Sequence, residues 1–145
     1  MSPESQEPDF GMAARIGLSL ISFLAILGFG LAFMTTPDPR GFGTHEQFGL
    51  PPCTFQTVFG IPCPSCGGTT SLSHFVRGNW IQSCRCNAAT FVGALSGLLL
   101  VPWSIISSLR GRWFLIHNPF KSLLILLTVI SLVAVLQWSF RVIGH

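Results

Sequence analysis

Charge is scarce in this chain. Eight Lys and Arg and five Asp and Glu make up 9% of its 145 residues, against about 25% in an average soluble domain. So few charges cannot cover the outside of a soluble domain, which sets aside soluble enzymes and soluble binding modules. Tyrosine is missing altogether, although 13 Phe and four Trp are present, and this tilts the aromatic content toward apolar surroundings. No Asp or Glu falls within any long apolar run. Ion pumps and proton relays place ionisable groups in such runs, so a transporter or channel mechanism has little to stand on. A net charge of +3 is ordinary for a membrane protein and makes no nucleic-acid footprint. Neither a Ser-His-Asp set, a carboxylate pair nor a phosphate loop can be assembled, so no catalytic residue is assigned and the reading leans away from an enzyme.

What the chain does have is 49% hydrophobic residues, concentrated in three runs: Met12 to Met34, Ala88 to Leu109 and Pro119 to Phe140. A span needs about 20 residues at 1.5 Å rise to cross roughly 30 Å of hydrocarbon. Each run is that long, and in lipid the backbone must bond to itself, so each should be an α-helix. The residues before the first run carry acids and no base, and the run exceeds a signal-peptide core, so an uncleaved first helix is expected. The predicted fold class is all-α: an integral membrane protein with three transmembrane helices and an interfacial amphipathic helical segment between the first and second. Residues 1–11 form a polar tail expected to be disordered. Residues 12–145 form one membrane domain, with spans near 12–34, 88–109 and 119–140 and a cysteine-rich segment at 53–87.

The segment between the first two runs, Thr35 to Asn87, holds all five cysteines. It opens with TTPDPRGFGTHEQFGLPP, whose prolines and glycines argue against regular structure. Further on, Leu72, Phe75 and Val76 fall at i, i+3 and i+4, with Ser71, His74 and Arg77 around the other side. That spacing predicts a short amphipathic helix, Thr69 to Arg77, capped by Gly78. His74 and Arg77 on its polar face are either solvated or a pair for lipid headgroups. Asn79 with Gln82 resembles a capping box for a second short turn, and Trp80 suits the membrane interface.

Short loops dominate the positive-inside rule. Arg110 to Asn118 is short and basic, so it and the N-terminus are expected in the cytoplasm, with the cysteine segment extracytoplasmic. The partner of most of this surface is the lipid bilayer. In the second run Ala89, Gly93 and Gly97 recur every four residues, and in the first Gly28 and Ala32 share that spacing. Small faces let helices approach closely. They predict a seam within the chain, or contact with another membrane protein or a second copy through Gly93 and Gly97. The third run, rich in Leu, Ile and Val, should face lipid, and Pro102 should kink the second.

The cysteines are Cys53, Cys63, Cys66, Cys84 and Cys86. Cys63-Pro-Ser-Cys66-Gly has the shape of a metal knuckle, in which two thiolates bind one Zn²⁺ and the glycine lets the turn tighten. Cys53 would be a third ligand, and Cys84, Cys86, His74 or His45 a fourth; no second knuckle completes a zinc ribbon. A CxxC at a helix start also lowers a thiol pKa, which suits a membrane thiol-disulfide oxidoreductase using Cys63 and Cys66, although no strand precedes it. Outside the cytoplasm, disulfides from Cys53 to Cys63 or Cys66 are a third reading. All three stay open on these residues.

Cys53, then Gly60-Ile61-Pro62-Cys63-Pro64-Ser65-Cys66-Gly67-Gly68-Thr69, a short helix ending in Arg77-Gly78, and Asn87 opening a hydrophobic helix resemble the bacterial membrane proteins grouped as domain of unknown function 2752. The resemblance runs from about Cys53 to Leu100 and is specific in the PCPxCGxT core. It implies an architecture rather than an activity, and its shared core is Cys53, Cys63 and Cys66. Two positions depart from the pattern. Thr70 stands where an Arg is usual, which puts in doubt any headgroup-anchoring role for that position, and Ala88 stands where a Pro is usual. Cys84 and Cys86 look like additions. The combined expectation is a non-enzymatic membrane protein with a structural or metal-binding cysteine motif.

Overall fold

A computed structural model describes residues 11–111 and 118–144. The expected disordered tail and most of the basic loop lie outside the described residues. Within them the chain is helical: α1 Met12–Met34, a 3-10 turn Thr44–Phe48, α2 Thr54–Phe59, α3 Gly68–Phe75, α4 Trp80–Cys86, α5 Ala88–Arg110 and α6 Pro119–Ile143. No strand occurs among the described residues.

Helices α1, α5 and α6 are each long and apolar enough to cross a membrane. The central one is α5, packed against α1 on one side and α6 on the other, while the backbones of α1 and α6 make no close approach. Antiparallel pairing of α1 with α5 is visible in two hydroxyl bridges, Ser22 to Ser104 at 2.5 Å and Ser19 to Ser108 at 3.2 Å. The C-terminal end of α1, the N-terminal end of α5 and the C-terminal end of α6 therefore share one end of the bundle. There α3 packs on α1, α4, α5 and the 3-10 turn, closing the bundle with a small helical cap.

Large side chains point out of this molecule and small ones point in. Leu20, Leu24, Leu99, Leu124 and Leu136 are among many exposed apolar residues, whereas Ala32, Ala89 and Ala94 are buried beside Ser22, Ser104 and Ser107. That is the arrangement lipid favours, since apolar side chains gain nothing by leaving hydrocarbon and close approach rewards small residues. A Cβ on Gly97 would meet the Phe29 ring of α1 at 3.4 Å, and one on Gly93 would meet Ile130 of α6 at 3.9 Å. The small face of α5 thus lies toward its own neighbours. No residue of α6 is buried, in keeping with a lipid-facing third helix. Pro102 sits inside α5, and the helix continues through it to Arg110.

The cap differs from the sequence reading in four places. The Pro/Gly stretch is not devoid of structure: its 3-10 turn is bracketed by Gly43 and Gly49, both with positive φ, a conformation glycine reaches without strain. Helix α2, six residues between Cys53 and Gly60, is too short to show a period. Helix α3 buries much of the face expected to be solvated: Thr70, Ser71 and Ser73 have no exposure, because their hydroxyls find partners in Thr44, Ser83 and the end of α1, while Thr69 stays exposed. At α4, Asn79 occupies the N-cap but its side chain makes no capping bond. Gly78 does end the α3 region, at φ +76. Phe75 joins the pieces, with ring centroids 5.8 Å from Phe91 of α5, 6.2 Å from Phe29 of α1 and 6.4 Å from Trp80 of α4.

Arg77 is exposed, yet its guanidinium folds back onto the protein instead of extending away from it. Its guanidinium donates to the carbonyls of Ala32, Phe33 and Thr35 and to Ser73 Oγ and O. A helix leaves its last four carbonyls unpaired and its C-terminal end partly negative. Arg77 answers both needs and ties the cap to α1.

Candidate functional site

The chain turns sharply at Cys63 to Gly68. The Cys66 N–H donates to Cys63 O at 3.0 Å and the Gly68 N–H to Ser65 O at 3.0 Å. Gly67 carries φ +82, and a Cβ there would lie 2.6 Å from Cys86 O and 2.7 Å from Gly41 O. Glycine is therefore required for both conformation and space. The remaining loop carbonyls are held from outside. Trp138 Nε1 donates to Pro62 O at 2.8 Å, Asn87 Nδ2 to Pro64 O at 3.1 Å and Cys66 O at 3.2 Å, and Arg141 Nη1 to Cys66 O at 3.1 Å. Every carbonyl from Pro62 to Cys66 thus has a donor, and the turn has little freedom.

Asn87 has 1% exposure and works in two directions. Its Nδ2 grips the turn while its Oδ1 accepts the Thr90 N–H at 2.8 Å, capping α5 as N-cap asparagines do. The two departures from the family pattern also find their partners. The Thr70 hydroxyl is buried against Thr44 at 2.8 Å. The Ala88 N–H, which a proline would lack, donates to Gln137 Oε1 at 2.7 Å.

This frame brings three of the five cysteines together. The sulfurs of Cys53, Cys63 and Cys66 all lie within 4.8 Å of one another, with Cys66 buried and the other two partly so. Cys53 arrives from the preceding loop at the start of α2, where its carbonyl accepts the Gln56 and Thr57 N–H groups. Cys84 and Cys86 lie outside the trio. All five cysteines carry free thiols in this structure. Of the candidate fourth ligands, His45 lines the same cavity of about 430 Å³ as the trio, together with Glu46. Its Nε2 lies 3.2 Å from Pro51 O. His74 is not among the residues lining that cavity, and its Nδ1 is buried without a hydrogen-bond partner.

The trio is electrostatically uneven. The Gln56 N–H at the start of α2 is the main influence on the Cys53 thiol, which is brought down to about 7. Burial, followed by the neighbouring Cys53 thiol, pushes Cys66 up to about 12. Burial also raises Cys86. Thiolates are the form that ligates metals and attacks disulfides, so Cys53 is the group of this trio most ready for either.

Sequence reasoning named the three cysteines but missed the residues that hold them. Gln137, Trp138 and Arg141 read as the end of a lipid-facing helix. The available signal was Gln137, an amide in an otherwise apolar run, because polar groups at membrane depth are seldom without a task.

Fold and site together define a small multi-pass helical membrane protein with a clustered three-thiol site in a cap at one end of the bundle. Residues 53–101, about a third of the chain, match the family model described as Protein of unknown function (DUF2752), consistent with the resemblance drawn from the sequence. No curated protein and no solved structure matches the chain.

Proposed function

We propose that this protein is a non-enzymatic membrane component in which Cys53, Cys63 and Cys66 hold one Zn²⁺ ion that locks the helical cap. The observation that carries this reading is the trio itself, three sulfurs within 4.8 Å of one another. Zn–S bonds of about 2.3 Å place tetrahedral sulfurs roughly 3.8 Å apart, so the ligands need close by only about 1 Å. The fourth position faces the cavity lined by His45 and Glu46, leaving it to His45 or a solvent molecule. Elemental analysis of purified full-length protein tests the idea. One zinc per chain, lost in Cys53→Ser, Cys63→Ser and Cys66→Ser but kept in Cys84→Ser and Cys86→Ser, is the expected result. Metal-free wild type after expression with added zinc would sink it.

A second reading is thiol-disulfide exchange with a partner protein, favoured by the lowered Cys53 thiol opening onto the cavity. The sequence had nominated Cys63 and Cys66 for that task. A Cys66→Ser variant that traps a partner through Cys53 or Cys63 in non-reducing gels supports exchange, and a zinc-loaded trio that traps nothing supports the metal site. The positive-inside count puts the cap outside the cytoplasm. Exposed Cys84 should then react with a membrane-impermeant maleimide in intact cells, and protection until lysis would reverse the orientation.

A further inference from the structure

We propose a second site, unrelated to the thiols: the groove where α4 meets the C-terminal end of α6 binds the headgroup and upper acyl chain of an anionic phospholipid. The groove encloses about 500 Å³ and is lined by Arg85, Val133, Leu136, Gln137, Phe140 and Arg141. The α6 residues recur at i, i+3, i+4, i+7 and i+8, so they form one stripe along the helix. Arg141 stands at the cap end of that stripe. Val133 lies eight residues deeper, roughly 12 Å at 1.5 Å per residue, which matches the depth of the upper part of an acyl chain below its phosphate.

Among the described residues, no carboxylate pairs with the charge at the head of the groove. Asp38 and Glu46 are the described acids, and Arg40 engages both, at 2.8 Å and 3.2 Å. Arg141 donates to the carbonyls of Cys66, Arg85 and Cys86. These neutral acceptors aim the guanidinium without neutralising it. Arg85 is exposed on α4, within reach of the same groove, and makes no ion pair among the described residues. Two guanidiniums without a carboxylate partner among the described residues, above an apolar wall at the end of a membrane-spanning helix, complement a phosphate joined to a hydrocarbon chain. Guanidinium planes suit phosphate oxygens in particular, because their N–H groups can bind two at once. The same groove would hold free phosphate less well, since its apolar length would stay uncovered.

The test uses full-length protein in nanodiscs of mixed phosphatidylglycerol and phosphatidylcholine, with bound lipid read by native mass spectrometry after release. Retained lipid should be enriched in phosphatidylglycerol. A basic side chain at a membrane surface contributes about 1 kcal/mol toward anionic lipid, close to a fivefold change in binding. Arg85→Gln should therefore lower the enrichment about fivefold, and Arg85→Lys should keep much of it. Arg85 is exposed and makes no ion pair among the described residues, so this variant should remain folded. Arg15→Gln, which removes the same charge from the opposite end of α1, should leave the enrichment unchanged. Three outcomes overturn the proposal: equal retention of both lipids, an equal loss in Arg15→Gln, or complete displacement by inorganic phosphate, which would make the site one for the free ion.

Discussion

Alanine at Gly67 tests whether the turn after Cys66 sets the thiol geometry, and alanine at Gly60 provides the comparison. Both glycines have positive φ, +82 and +70, and an L-residue in that region costs about 1 kcal/mol. Only the space around them differs. Nothing lies within 4 Å of a Cβ at Gly60, whereas one at Gly67 would stand 2.6 Å from Cys86 O and 2.7 Å from Gly41 O. Favourable non-bonded separations begin near 3.5 Å, so backbone on two sides would have to retreat by roughly 1 Å. The Cys86 carbonyl is held by Arg141 and has little room to give. Overpacking of this kind costs about 1–3 kcal/mol. Gly67→Ala should therefore destabilise by roughly 2–4 kcal/mol and Gly60→Ala by about 1, read from denaturant titration of the detergent-solubilised protein by tryptophan fluorescence. Because Gly67 follows Cys66 directly, its variant should also weaken zinc binding, while Gly60→Ala leaves it intact. Equal unfolding midpoints for the two variants would refute the packing argument. A destabilised Gly67→Ala with wild-type zinc affinity would refute its link to the thiols.

Three further outcomes follow from the same structure. Asn87→Ala should destabilise by about 2–3 kcal/mol, one part from the lost helix cap and the rest from two lost bonds to the turn. Asn87→Asp should do no better, since it keeps the capping oxygen but turns an acceptor toward the Pro64 and Cys66 carbonyls; wild-type stability for Asp would contradict this. Arg77→Gln should lower the unfolding free energy by about 2 kcal/mol, discounted for the exposure of the side chain, and Arg77→Lys should recover only part, because one ammonium cannot reach all the carbonyls that the guanidinium fork reaches. Full recovery with Lys would mean that charge alone matters. In metal-free protein, iodoacetamide should alkylate Cys53 with a rate that climbs between pH 6 and 8, passing its midpoint at about 7. Cys66, raised to about 12, should lag throughout that range, and peptide mapping that finds both labelled together at pH 8 would contradict the assignment.

Much of the fold was legible because its determinants are local. Length and hydropathy located all three long apolar helices, with α1 running from Met12 to Met34 as expected and α5 and α6 ending one and three residues later than the expected Leu109 and Phe140. The small face at Gly93 and Gly97 was legible too, though not which neighbour it would meet. The cap was harder to read. Its helices are six to eight residues long, too short for a period to separate solvated from buried faces. Ser71 therefore passed as a surface residue, and it is buried because its hydroxyl partners lie on other elements.

Sequence alone determined that this is a three-span helical membrane protein and that a tight Cys-Pro-Ser-Cys-Gly-Gly turn follows the first span, since chain length, apolarity and glycine content act within a few residues. Tertiary structure decided what the turn is part of. Cys53 joins Cys63 and Cys66 only once α2 folds back. The turn is rigid only because Asn87 and residues of α6 reach it across as many as 76 positions, as Trp138 does to Pro62. Arg77 became the cap of α1, 42 to 45 residues away, because the helix end offered unpaired carbonyls where a solvated face had been expected. Such long-range pairings leave no periodic trace in a single sequence, and they turn a cysteine motif into a site.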